Sequence, residues 1–359
     1  MKAILHVNRR TFLSAILGSA VSAMAAKTMG ADNVAKGARS DQEKQAARWL
    51  NEAAQASIDR GLKWLSSRVA EDGSLGGGGY GRNTAVCSLA GMAFLSSGST
   101  PGRGPHGGSL QKLQTFLLAS CQENGFISQA TASSHGPMYD HGFATLFLAE
   151  LYGMSLDDEL RDKLARAVRL IVTTQNKEGG WRYEPRPDDA DISVTICQIM
   201  ALRAAKNAGL HVPNDTIERC VEYVKRCQNA DGGFMYMASA GGPSRFPRSA
   251  AGVVALYSAG IYEGEELQRG LEYLLKFTPK AEQQIVDPHE MYGQYYAVQA
   301  MWHAGGKQWD TWYPAIRDTL LARQRPDGSW NDPIAAEYGT AMACIVLQMP
   351  NNYLPIFQR

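Results

Sequence analysis

Three aspartates crowd one short stretch, Asp188-Asp189-Ala190-Asp191-Ile192-Ser193. Carboxylates this close can share a proton, and one of them then keeps it to higher pH, as an acid catalyst must. Asp140-His141, Arg248, Tyr292 and Glu337-Tyr338 stand at the beginnings of apolar segments and are candidate ligand contacts. Polar groups ringing an apolar cavity are the usual composition of a ligand site. Asp140 and Asp191 also suit plain helix N-termini, where a carboxylate accepts backbone N–H bonds and meets the positive end of the helix dipole. Neither Asp140-His141 with His289-Glu290 nor the cysteines show metal-ligand spacing, so no metal and no cofactor is expected. Gly76-Gly77-Gly78-Gly79 is followed by no Lys-Ser/Thr pair and reads as a flexible loop, not a phosphate cradle. Tyr80, Tyr183, Trp181 and Trp330 have faces that stack on sugar rings.

The elements that must position these residues repeat. Gln122, Gln175, Gln228 and Gln324 each precede a short polar turn, a glycine and an aromatic: Phe126, Trp181, Phe234 and Trp330. The marker glycines Gly73, Gly125, Gly179, Gly232 and Gly328 recur about every fifty residues, with one degenerate turn near residues 280–288. Six units result. In each, an amphipathic stretch such as 157–174, 214–227 or 308–323 precedes the turn. A stretch poor in charge follows it, as in 191–205, 247–260 and 291–305. A helix apolar on every side is buried, so the pattern predicts an all-α fold with inner and outer helix rings. Within it the Gln bonds exposed helix-end groups and the aromatic packs across the neighbouring unit, which makes the motif a structural staple.

Repeated Gln-x-Gly-x-aromatic turns between paired helices resemble those of the squalene-cyclase/protein-prenyltransferase superfamily. The resemblance covers about residues 45–350 and implies an (α/α)6 toroid of six hairpins around a central cavity. Protonation-initiated terpene cyclases of that superfamily carry a DxDD(T) motif. Asp189 and Asp191 match its first two aspartates, with Asp191 as the implied acid, Ser193 resembles its threonine, and Ile192 stands where its last aspartate belongs. The prenyltransferase zinc set is absent, since Ser193 stands where its cysteine would be. No thioester segment is present.

Apolar residues make up 45% of the 359 and charged residues 20%, which excludes a disordered or collagen-like chain and supplies a large core. The net charge of +1 gives no electrostatic ground for nucleic-acid binding. Residues 1–25 read as an export signal: Arg9-Arg10 before Phe12-Leu13, an apolar run, then Ala23-Met24-Ala25. The apolar run is too short to span a bilayer, and no other segment reaches about 18 continuous apolar residues. The six cysteines read as buried free thiols.

The expected organisation is a signal at 1–25, a linker at 26–44, one toroid at 45–350 and a tail at 351–359. The expected function is an exported bacterial protein, periplasmic or extracellular, that binds a small hydrophobic, peptide or glycan ligand at its cavity mouth without the superfamily's standard catalysis. The alternatives are a cyclase-like enzyme with Asp191 as general acid, assisted by Asp189, and a polysaccharide-active (α/α)6 enzyme.

Overall fold

Each repeat turn needs a residue with positive φ, and glycine supplies it: φ is 82° at Gly73, 90° at Gly125, 100° at Gly179, 86° at Gly232 and 94° at Gly328. Close approach is the second reason for glycine. A Cβ at Gly179 would lie 2.1 Å from Arg219 O, and one at Gly125 2.4 Å from the Arg166 carbonyl carbon, both on the next outer helix. At Gly328 the atom met is Arg60 O, so the sixth turn packs against the first outer helix and closes the ring.

The computed structural model describes residues 48–155, 157–280 and 287–358. The expected export signal and linker and most of the degenerate turn lie outside these residues. Among the described residues there are twelve α-helices and no strand. The outer helices are α1 (Glu52–Arg68), α3 (Gly107–Ala119), α5 (Asp158–Thr173), α7 (Asn214–Arg226), α9 (Glu265–Leu275) and α11 (Gly306–Arg323). The inner helices are α2 (Thr84–Ser96), α4 (Pro137–Tyr152), α6 (Ile192–Asn207), α8 (Phe246–Ser258), α10 (Glu290–Ala304) and α12 (Ala336–Leu347). Outer α5 buries only the stripe Leu160, Leu164, Ala167, Val168, Leu170 and Ile171. Every residue of inner α2 is buried. Consecutive inner helices pack on one another, and α12 packs on α2. The fold is thus an α/α toroid.

The glutamines tie each turn to the next outer helix. Gln175 Nε2 donates to Gly179 O at 2.8 Å and to Thr216 O at 2.9 Å. Gln228 and Gln324 repeat the pair, to Gly232 O and Glu266 O, and to Gly328 O and Ser57 O. Gln122 makes no such bridge and is exposed. Counting four residues back from the glycine explains it: Gln175, Gln228 and Gln324 hold that position, but before Gly125 it is Cys121. Trp181 and Trp330 are buried, and each indole donates to a carbonyl ten residues earlier, Ile171 O at 2.7 Å and Leu320 O at 2.8 Å. Phe234 is also buried, whereas Phe126 is half-buried and Ile127 takes the core position of the second turn.

At the other end of the ring, Gln348 Nε2 donates to Ala93 O, Asn351 Nδ2 to Ser96 O and Trp302 Nε1 to Phe357 O. Ile356 and Phe357 are buried, so residues 348–358 are packed against the C-terminal ends of the inner helices. All six cysteines are unpaired. No described helix is long and apolar enough to cross a membrane.

Candidate functional site

A bond common to five units sets the register of the inner helices. The backbone N–H two residues after each marker glycine donates to a side chain on the following inner helix. Leu75 N donates to Cys87 Sγ, Ile127 N to His141 Nδ1, Trp181 N to Thr195 Oγ1, Phe234 N to Ser249 Oγ and Trp330 N to Thr340 Oγ1. Cys87, His141, Thr195, Ser249 and Thr340 are therefore equivalent. Four residues earlier lie Asn83, Pro137, Asp191, Arg245 and Ala336; one earlier lie Val86, Asp140, Val194, Arg248 and Gly339. Asp140 and Asp191 are thus three positions apart in the repeat.

That offset decides what each carboxylate does. Asp191 is the N-cap of α6, and its Oδ1 accepts from Ser193 N at 2.8 Å and Val194 N at 2.9 Å. It is fully buried, with Arg182 Nε 3.8 Å from Oδ2. Burial pushes its carboxyl up to about 6, against the pull of the two amides, Tyr236 and Arg182. Asp189 is half-exposed and ion-paired to Arg182, and Asp188 faces Arg186 at the surface. The aspartate stretch is neutralised by arginines and by a helix end.

Asp140 lies inside the first turn of α4, which begins at Gly136-Pro137. Its side chain lines a cavity of about 670 Å3 at the N-terminal ends of the inner helices. That volume suits a drug-sized ligand. Asn83 Nδ2 donates to Oδ1 at 2.9 Å and Ser128 Oγ to Oδ2 at 3.3 Å; Ser134 also bonds the carboxyl. All three partners are neutral, and burial prevails, pushing the carboxyl up to about 6.

The remaining wall is mostly aromatic. Tyr80, Tyr139, Phe143, Tyr183, Tyr236, Tyr292 and Tyr338 line it, with Ala85, Val86, Pro247 and Ile334. Burial raises Tyr139, Tyr236, Tyr292 and Tyr338, so they stay neutral phenols near pH 7. The hydroxyls of Tyr183 and Tyr236 bond each other, and Tyr292 Oη donates to Ser193 O at 2.9 Å. At the rim Tyr80 Oη and His135 Nδ1 share a 2.9 Å hydrogen bond, and His135 meets His289 edge-on. Asp332 is a second wall carboxyl held up at about 6 by burial, opposed by the Ile334 amide and His289.

Of the residues singled out from sequence, Asp140, Arg248, Tyr292 and Tyr338, with Tyr80, Tyr183, Ser193 and His289, come together on the cavity wall. His141 and Glu337 do not line it. His141 accepts from Ile127 N at 3.1 Å and donates from Nε2 to Ala167 O at 3.2 Å, taking over the bridge that Gln122 leaves unmade; burial pushes its ring down to about 4. Glu337 is buried against Arg68 at 3.1 Å. Sequence reasoning passed over Asp332, Tyr236, Ser128 and His135. A periodic signal was available for two of them: Tyr183, Tyr236 and Asp332 each lie two residues after the core position of a turn. No three His, Cys, Asp or Glu side chains among the described residues converge as a metal site requires.

Comparison with known proteins agrees with this architecture. A prenyltransferase alpha-alpha toroid domain model matches residues 45–182, and a squalene-hopene cyclase C-terminal domain model matches 144–290. No curated protein matches the sequence. Among solved structures, the type II terpene cyclase MstE from Scytonema, in complex with geranylgeranyl dihydroxybenzoate, superposes with a TM-score of 0.58 at 14% identity, covering 87% of this chain and 100% of that one. An alpha-1,6-mannanase of Salegentibacter sp. gives a TM-score of 0.60 at 7% identity, covering 83% and 99%. A protein from Actinoplanes gives 0.53 at 16%, covering 84% and 99%. The chain resembles the squalene-cyclase/prenyltransferase superfamily in sequence over 45–290 and in fold over most of its length. At these identities the solved structures speak for the fold alone.

Proposed function

We propose that the cavity receives a small organic ligand with an apolar, isoprenoid-like body and that Asp140 is the acid that protonates it. The observation that carries the reading is the Asp140 carboxyl, buried, open to the cavity, bonded by neutral donors and pushed up to about 6. A carboxyl kept protonated toward neutral pH is matched to general-acid work. After it gives up its proton, Asn83, Ser128 and Ser134 remain to hold the carboxylate. Tyrosine and phenylalanine rings present their negative faces to positive charge that develops on the ligand. Asp191 is the weaker candidate, because its Oδ1 is committed to α6 and its side chain is off the cavity wall.

Binding without turnover is the second reading, and it rests on Ile192 standing where the cyclase motif has its last aspartate. The test is to incubate the purified chain with squalene, geranylgeranyl diphosphate and a mannan-oligosaccharide panel, with products read by mass spectrometry. Conversion of an isoprenoid that falls by about a hundredfold or more in Asp140→Asn supports the acid role. Conversion untouched by that change overturns it. Calorimetric binding with no conversion supports the second reading, and sugar release would move the assignment to glycans. We also propose export directed by residues 1–25, which a reporter fused to that segment tests.

A further inference from the structure

Two arginines on the cavity wall lack what other arginines near the inner-helix starts have. Arg68 pairs with Glu337, Arg82 with Asp72, Arg182 with Asp189 and Arg323 with Glu290. Arg245 and Arg248, at the start of α8, both line the cavity and form no ion pair among the described residues. Arg245 is the N-cap of α8 and Arg248 lies in its first turn, three residues on. Arg248 Nη2 donates to Pro243 O at 2.5 Å, its Nε is covered and unpartnered, and its guanidinium sits 5.9 Å above the Tyr236 ring. Burial and the neighbouring Arg245 both disfavour its charge, and Asp287 attracts it without pairing. Arg248 is half-buried beside the exposed Arg245, and a partly desolvated cation next to a like charge is costly unless an anion joins the two.

We infer that the ligand carries an anionic group, a carboxylate or a phosphate monoester, seated between Arg245 and Arg248. This rests on the proposed reading that the cavity holds an apolar body, and it gives that body a direction. The anion lies at the start of α8, and the body runs along the tyrosines toward Asp140 on α4. Guanidinium matches carboxylate and phosphate through paired N–H donors, so either head fits.

The test is the affinity of the full chain for farnesol, farnesoic acid and farnesyl phosphate, by calorimetry. At least one anion should bind about tenfold or more tighter than the alcohol, the gain expected of charge-assisted hydrogen bonds. That advantage should disappear in the double variant Arg245→Gln, Arg248→Gln, while farnesol affinity stays. The anion that gains more identifies the head group. Should the double variant not fold, salt decides on the unaltered chain: raising ionic strength must weaken the anions and spare farnesol. Equal affinity for all three overturns the inference and leaves the apolar cavity standing, as does an anion preference that survives both the double variant and high salt. Failure of all three to bind, farnesol included, overturns the cavity reading and this inference with it.

Discussion

The starts of α4 and α6 each carry a buried aspartate, and burial pushes both carboxyls up to about 6. One is open to a ligand and the other is not. α6 begins at Asp191 itself, with extended backbone (φ −131°, ψ 157°), so the carboxylate folds back onto its own amides. α4 begins earlier, at Pro137 after Gly136, whose φ of 154° suits glycine alone and where a Cβ would strike the Tyr183 ring at 2.5 Å. The added residues carry Asp140 into the helix body, where its side chain faces the cavity. A raised pKa therefore does not mark an acid catalyst by itself; what the carboxyl oxygens already hold, and what they face, does.

The largest effect expected separates the anchoring of the two starts. Trp181 holds α6 in place, since its carbonyl accepts from Asp191 N at 3.0 Å and its buried indole donates to Ile171 O. Trp181→Ala should cost about 3–5 kcal/mol in denaturant unfolding. Phe126→Ala, before α4, removes a half-buried ring and should cost clearly less. Equal losses would mean that the two turns are stapled alike.

Next in size is the split in chemistry. Asp140→Asn should lower isoprenoid conversion by about 10²–10⁴-fold. Asp191→Asn keeps a cap of equal quality and should stay near the activity of the unaltered chain. If Asp191→Asn is the damaging change, the two helix starts have exchanged roles and the cavity assignment is wrong.

The legible part of the molecule was its repeat. Turn glycines, three of the four glutamines and the alternation of amphipathic with apolar helices are set by backbone geometry and burial, and both write themselves into residue types. The site was harder to read because the helix starts do not share one length. Reading both aspartates as helix N-termini put Asp140 level with Asp191, whereas the bonds from Ile127 N to His141 and from Trp181 N to Thr195 separate them by three positions. A separate shift of one residue, within the turn, put Gln122 in a role for which Cys121 holds the position. Its place beside Asp140 at a helix start made His141 look like a ligand contact, although its ring ties the second turn to the next outer helix. Asp332 and Tyr236 follow the period of the turns, two residues past the core positions Trp330 and Phe234, and not that of the helix starts.

A smaller effect should be common to both starts. Each carboxyl has a folded pKa near 6 against 3.8 for the free group. Between those values the folded chain holds more protons than the unfolded one. Stability is therefore lost as pH rises through that window and stays lower above it. Asp140→Asn and Asp191→Asn should match the unaltered chain near pH 4 and exceed it by about 1–3 kcal/mol near pH 8. Thermal unfolding at the two pH values reads this directly. A gain in one variant alone would show that something other than burial separates the carboxyls.

The smallest effect isolates the cap. At pH 4 both aspartates are mostly protonated, so the buried-charge contribution is nearly gone and the hydrogen bonds remain. Asp191→Ala then leaves the amides of Ser193 and Val194 without their acceptor, while Asp191→Asn supplies another. The alanine variant should be less stable than the asparagine variant by about 0.5–2 kcal/mol. The same pair at Asp140 should differ less, because no backbone amide depends on that side chain and Asn83 Nδ2 keeps its second acceptor, Ser133 O at 3.0 Å. A larger alanine penalty at 140 than at 191 would make Asp140 the structural residue and would return the acid role to Asp191.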